Sequence, residues 1–176
     1  MNFEKYNIIS VIIIIIFVIF LYFSVLSPNI IDRSEYVENK TYEKFENYAF
    51  TYEVTRYPSF VNVSSNMDET LVIGITNDPY NLGFGIIPQG GSGKRLISLE
   101  NDEDVKAKIK IEYVGNITEI MEISNTNFVL MPNESVKIPV MIKTDPDTPI
   151  GNYTGEIDLI IIKPKYNSLE FLLWVM

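Results

Sequence analysis

The run Gly90-Gly91-Ser92-Gly93-Lys94-Arg95 holds the ingredients of a phosphate loop: glycines that free backbone N–H groups to face an anion, and a lysine to meet its charge. The spacing defeats that chemistry. A GxxxxGK[ST] loop needs glycine at position 88 and a hydroxyl at 95, where this chain has Pro88 and Arg95, so a strand connection is expected here and no nucleotide. The acidic stretch Glu100, Asp102, Glu103, Asp104 offers hard oxygen ligands to a cation such as calcium, with Asp102 and Asp104 the nearest candidates. It lacks the EF-hand spacing and its glycine, and a solvated turn explains it without a metal. Asp145 and Asp147 are explained by Asx turns in the same way. Two carboxylates can hydrolyse a glycosidic bond only when held across a cleft, and no spacing in this chain sets up such a pair.

Composition removes most other chemistry. The 176 residues include no cysteine and no histidine, which excludes disulfides, thiolate nucleophiles, Cys-ligated metals, Ser-His-Asp triads and HExxH zinc sites. No catalytic residue and no cofactor is expected. The net charge of −9 gives no clustered basic surface for a phosphate backbone, so nucleic acid is not an expected partner.

Modification is better represented. Asn-x-Ser/Thr sequons begin at Asn39, Asn62, Asn116, Asn133 and Asn152, each an acceptor for an N-linked glycan if the domain lies outside the cell. The chain is rich in asparagine, so polar turns are the competing explanation of each. Tyr52, Tyr57, Phe60 and Tyr80 would suit a carbohydrate if they formed an exposed aromatic platform.

These groups must be carried by an anchor and a domain. From Ile8 to Leu26 the chain reads IISVIIIIIFVIFLYFSVL, apolar all round. At 1.5 Å per residue a helix of that length spans roughly 28 Å, the thickness of a bilayer's hydrocarbon core. A cleaved signal peptide has a shorter apolar region and an Ala-x-Ala-like site; this run has no alanine, and Pro28 follows Ser27. Residues 1–27 are therefore expected to be a retained single-pass anchor. One basic residue flanks each side, Lys5 and Arg33, so the positive-inside rule is nearly silent. The short tail favours a cytoplasmic N-terminus, and the sequons, all after the anchor, favour an extracellular C-terminal domain.

Residues 28–48 carry charges and tyrosines without a clear period and are expected to form a stalk, with a weak apolar stripe allowing a helix over Ser34 to Tyr48. From residue 49 short alternating runs separated by turn residues predict strands over 49–55, 59–63, 70–76, 82–87, 94–99, 105–114, 118–123, 128–130, 135–143 and 153–162. The alternation is plainest in Val105 to Tyr113, where Val105, Ala107, Ile109, Ile111 and Tyr113 share one face and the lysines and Glu112 share the other. Between Gly151 and Gly155, Tyr153 is placed to bury its ring at a corner and bond its hydroxyl to backbone.

Several of these residues carry a family resemblance. Leu82-Gly83-Phe84-Gly85-Ile86-Ile87-Pro88-Gln89-Gly90-Gly91, followed by a strand ending in Leu99-Glu100-Asn101, resembles the opening of immunoglobulin-like modules of the PapD-like/ASH type. Leu130-Met131-Pro132-Asn133-Glu134-Ser135 and Pro149-Ile150-Gly151-Asn152-Tyr153-Thr154-Gly155 are similar to the late strands of such modules in archaeal and bacterial surface proteins. The resemblance covers residues 70–164 and implies an all-β immunoglobulin-like sandwich, here over residues 49–176. It does not imply one function, because this architecture hosts many. The apolar end, Phe171 to Met176, is expected as a final strand packed on the sheet, or else as an edge that associates with a partner.

The resulting expectation is a membrane-anchored, non-enzymatic envelope protein whose sandwich contacts other surface proteins or a second copy of itself. The alternatives are a carbohydrate- or ligand-binding module, and an accessory subunit of a surface filament or secretion machine.

Overall fold

Extended backbone sends alternate side chains to opposite faces, and the chain from Ala107 onward follows that rule: Ala107, Ile109 and Ile111 are all buried. The computed structural model describes residues 10–18, 36–65 and 81–174. Among the described residues nine strands follow one another: β1 (Thr41–Glu46), β2 (Phe50–Ser64), β3 (Leu82–Pro88), β4 (Ser92–Glu100), β5 (Ala107–Gly115), β6 (Met121–Ile123), β7 (Asn127–Leu130), β8 (Ser135–Lys143) and β9 (Gly151–Pro164). One sheet has the order β1-β2-β9-β5-β7, with β3 also paired to β2; the other has the order β4-β8-β6. All pairings are antiparallel except β2 with β3. From β1 onward the described residues are mostly β-strand, as an all-β domain requires, and the two sheets face each other across a shared core that includes Val61, Ile109, Ile157 and Leu159 from the larger and Ile97, Ile138, Val140 and Ile142 from the smaller.

The long pair β2 and β9 is the spine, in register from Phe50 opposite Pro164 to Val63 opposite Gly151. Its apolar parity changes along the way. Val61 and Val63 point into the sandwich, whereas Phe50 and Tyr52 belong to a second cluster with Ile162 and Leu173 on the outer face. One strand thus serves two cores, one at each end. Its free edge is shared as well: β1 pairs with residues 51–56 and β3 with residues 59–64. Pro58 stands in the gap between them, where no neighbour on that edge asks for the N–H it lacks.

Beta 9 needs glycine where β5 crosses closest. Gly115 lies opposite Gly155; a Cβ on Gly155 would overlap the Val114 carbonyl and meet Ile117 Cγ2 at 2.6 Å. The expected tyrosine corner is present: Tyr153 is buried and its hydroxyl donates to the Pro149 carbonyl at 3.0 Å.

Five expectations change. The stretch read as a stalk with a helix over 34–48 contains a strand, β1, whose residues alternate half-buried and exposed. The two strands expected over 49–55 and 59–63 are the single β2. Residues 118–123 divide into a 3-10 turn, Asn116–Glu119, and the short β6. The C-terminal segment is a 3-10 helix, Asn167–Trp174, rather than a strand. That helix also accounts for Lys108, expected in water yet buried: Lys108 stands in the outer-face row between Ile162 and Val129, both of which belong to the cluster that the helix covers. The strand expected over 70–76 lies outside the described residues. So does most of the expected span 8–26, of which residues 10–18 are helical; among the described residues no helix is long and apolar enough to cross a membrane.

Candidate interaction surface

A 3-10 helix has three residues per turn, so side chains three apart stack in one row. In Asn167–Trp174 the row of Glu170 and Leu173 turns inward: Leu173 is fully buried against the outer cluster, and Glu170 clamps the start of β5. Its carboxylate accepts the Lys106 N–H at 3.1 Å and pairs with Lys106 Nζ at 3.2 Å. The Lys106 backbone N–H, then its ammonium, hold the Glu170 carboxyl below its ordinary value. Leu169 and Leu172 form a half-buried flank. The third row, Phe171 and Trp174, faces water, 65% and 66% exposed.

More aromatic surface stands at the same end of the larger sheet. Tyr48, in the β1–β2 turn, is 93% exposed and Tyr166 is 63% exposed; the two segments are tied by the Lys165 N–H donating to the Ala49 carbonyl at 2.7 Å. Four large exposed side chains at one pole exceed the scattering of single apolar residues normal on a soluble surface.

Beside this pole, where β1, β2 and β9 project past the smaller sheet, runs an ionic groove of about 260 Å³ lined by Lys44, Glu53, Glu103, Lys163 and Lys165. Lys163 pairs with Glu103 at 2.7 Å and Glu53 at 3.3 Å. Burial pushes the Lys163 ammonium down, but hydrogen bonding to Glu103 and the charges of both carboxylates outweigh it and hold it above its ordinary 10.5. Lys165 pairs with Glu46 at 2.7 Å, which lowers the Glu46 carboxyl.

Asp102 and Asp104 are exposed on the loop after β4, and Glu103 between them turns to Lys163; among the described residues no group of three acidic ligands is placed to hold a metal. The loop is organised by Asn101, a residue not singled out as a site. It is buried, its Nδ2 donates to the Val105 and Met131 carbonyls at 2.8 and 3.0 Å, its N–H donates to the Glu134 carbonyl, and its carbonyl accepts the Asn133 N–H. Only its place at the end of Leu99-Glu100-Asn101 marked it in the sequence. In the glycine-rich connection the Gly91 N–H donates to the Pro88 carbonyl at 2.9 Å and to Thr144 Oγ1 at 3.0 Å, so the backbone closes on itself as a turn.

On the outer face, midway along the spine, three ionisable side chains are buried together. Arg56 lies 3.8 Å from Glu156 and 3.9 Å from Asp158, and it meets Glu43 of β1 through both terminal nitrogens, at 2.7 and 3.3 Å. The Val37 N–H donates to Glu156 at 2.7 Å, which docks the chain ahead of β1 on this face. Nothing in the residue pattern distinguished these charges from solvated ones.

The sequons are dispersed unevenly. Asn62 and Asn152 face each other across β2 and β9 with the Asn62 Nδ2 donating to Asn152 Oδ1 at 2.6 Å. Asn116 continues the edge where β5 stops, its Oδ1 accepting the Thr154 N–H at 2.7 Å. These three lie at the pole opposite the aromatics. Asn133 occupies the β7–β8 turn with φ of 58°, and Asn39 lies in the exposed segment before β1. The aromatic platform does not assemble: Tyr52 is buried, where burial raises its hydroxyl pKa, Tyr57 is half-buried with Lys40 over its ring at 4.9 Å, Phe60 is exposed, and Tyr80 lies outside the described residues. No protein-family model matches this chain, and neither a curated protein nor a solved structure is similar to it.

Proposed function

We propose that this chain is a non-catalytic protein of the cell envelope, anchored by the apolar segment 8–26 with its N-terminus inside, and that its sandwich, of the immunoglobulin-like PapD-like/ASH type, stands outside and binds other surface proteins. The observation that carries the reading is the exposed row of Phe171 and Trp174 on a helix whose other rows are fixed to the fold. Aromatic side chains on a rigid support lose little conformational freedom on contact, and for that reason they dominate protein interfaces. The length of residues 8–26 and their apolarity, broken only by Ser10, Tyr22 and Ser24, support the anchor. The test is to treat intact cells bearing the full-length protein with protease and blot both ends, then to compare the partners crosslinked by the parent and by a Phe171→Ser/Trp174→Ser variant. The reading expects the C-terminal epitope to be destroyed and the variant to lose its crosslinked partner. A protected C-terminus, or unchanged crosslinking in the variant, would contradict it.

A further inference from the structure

Transfer of a glycan to an asparagine requires three things of the acceptor: an exposed side chain, a carboxamide not already committed at either its oxygen or its nitrogen, and a reachable hydroxyl two residues on, which the sequon exists to supply. The five sequons differ on these counts. Asn62 lies in a strand paired on both edges, the Val63 that follows is fully buried, and its Nδ2 is held by Asn152. Asn116 uses Oδ1 to hold Thr154, and its sequon hydroxyl, Thr118 Oγ1, donates to the Gly115 carbonyl at 2.8 Å. Asn152 has its Oδ1 bound by Asn62 and its middle residue, Tyr153, locked into the core by the bond to Pro149. Asn39 is exposed, but Oγ1 of Thr41, its sequon hydroxyl, is buried. Asn133 alone meets every requirement: it is exposed, its amide makes no hydrogen bond to any described residue, and Ser135 is exposed. Its backbone is also presented on a turn, pinned by the Asn133 N–H to the Asn101 carbonyl and the Glu134 N–H to Met131.

We infer that Asn133 is the glycan acceptor of the folded domain, and that Asn62, Asn116 and Asn152 are structural amides that finish the far end of the spine. The inference rests on the extracellular reading above. In the reaction the Asn133 Nδ2 attacks the anomeric carbon of a lipid phosphate-linked oligosaccharide. The nitrogen–carbon bond forms, the carbon–oxygen bond to phosphate breaks, the lipid phosphate leaves, and the amide gives up one proton.

The test is glycopeptide mapping and intact mass of the full-length chain, isolated from a host that glycosylates its envelope. The informative variant is Ser135→Ala, because replacing Asn133 itself would disturb a left-handed backbone position that asparagine tolerates. Ser135→Ala is expected to lose the mass of one whole glycan and Ser135→Thr to keep it, with unchanged protease resistance in both. Asn133 is expected to be the most fully occupied sequon. A bare Asn133, or occupancy of any other sequon at or above that of Asn133, overturns the inference. Labelling of intact cells with a membrane-impermeant amine reagent separates the causes: a labelled domain with a bare Asn133 refutes the acceptor assignment alone, and an unlabelled domain refutes the extracellular reading as well.

Discussion

Replacing Leu173 by alanine asks whether the C-terminal helix belongs to the fold or merely rests on it. Leu173 is fully buried among Phe50, Tyr52 and Ile162. Removing three carbons forfeits about 0.8 kcal/mol each, ~2.4 kcal/mol in all. A residual hole of about 40 Å³, at ~24 cal/mol per Å³, adds ~1 kcal/mol. The expected loss is therefore about 3 kcal/mol. Trp174, next in sequence and 66% exposed, should cost less than ~0.5 kcal/mol when changed to alanine, the ordinary range for surface positions. With a urea dependence of ~1–3 kcal/mol per molar, the two variants should differ in unfolding midpoint by ~1 M or more. The assay is urea unfolding of the full-length protein in mild detergent, followed by far-ultraviolet circular dichroism so that loss of the single tryptophan does not remove the signal. Equal midpoints for the two variants would refute the division of the helix into a structural and a presenting row.

Gly155→Ala should destabilise by about 1–3 kcal/mol or prevent folding, since its new methyl group would meet the Val114 carbonyl backbone; a melting temperature within error of the parent would refute the close crossing of β5 and β9. Arg56→Met should cost about 3–5 kcal/mol by leaving Glu156 and Asp158, each almost fully buried, without their cation, and thermal unfolding measures it. Because Lys106 lowers the Glu170 carboxyl in the folded state, the unfolded state binds the extra proton first. The clamp's contribution is thus present above the ordinary value of 4.5 and is lost as pH falls through the depressed folded value. Trp174 fluorescence should report the helix loosening on acidification, and Glu170→Gln should remove that acid-dependent step; an unchanged step would assign it to another group.

The sheets were largely legible because their signal is local. Val105 to Tyr113 alternates strictly, and β5 lies where that alternation runs. Tyr153 between two glycines likewise announced its corner, since ring burial and a nearby carbonyl need only adjacent residues. What failed depended on partners distant in sequence. Phe50-Tyr52 and Val61-Val63 are apolar on opposite parities, which reads as two strands broken at Pro58. Only the knowledge that separate cores cover the two ends of one strand reconciles them. Thr41 to Glu46 has polar residues on both faces and no run of apolar ones, so its pairing to β2 comes from the partner's edge rather than its own pattern. The hydropathy of the C-terminal segment suits a strand, but β9 already joins β2 and β5 on both edges, and the apolar residues close the outer face as a helix instead. The candidate surface was legible only as an unplaced apolar end: which aromatics are buried and which are displayed follows from the three-residue row of a 3-10 helix.

The most direct test of a displayed aromatic contact is photo-crosslinking on intact cells with a benzophenone amino acid at position 171, alongside the same probe at Glu119, an exposed residue of the opposite pole. A discrete crosslinked protein band from position 171, absent from position 119 and suppressed by Trp174→Ser, is the predicted result. No band from position 171, or bands of equal strength from both poles, would contradict the account.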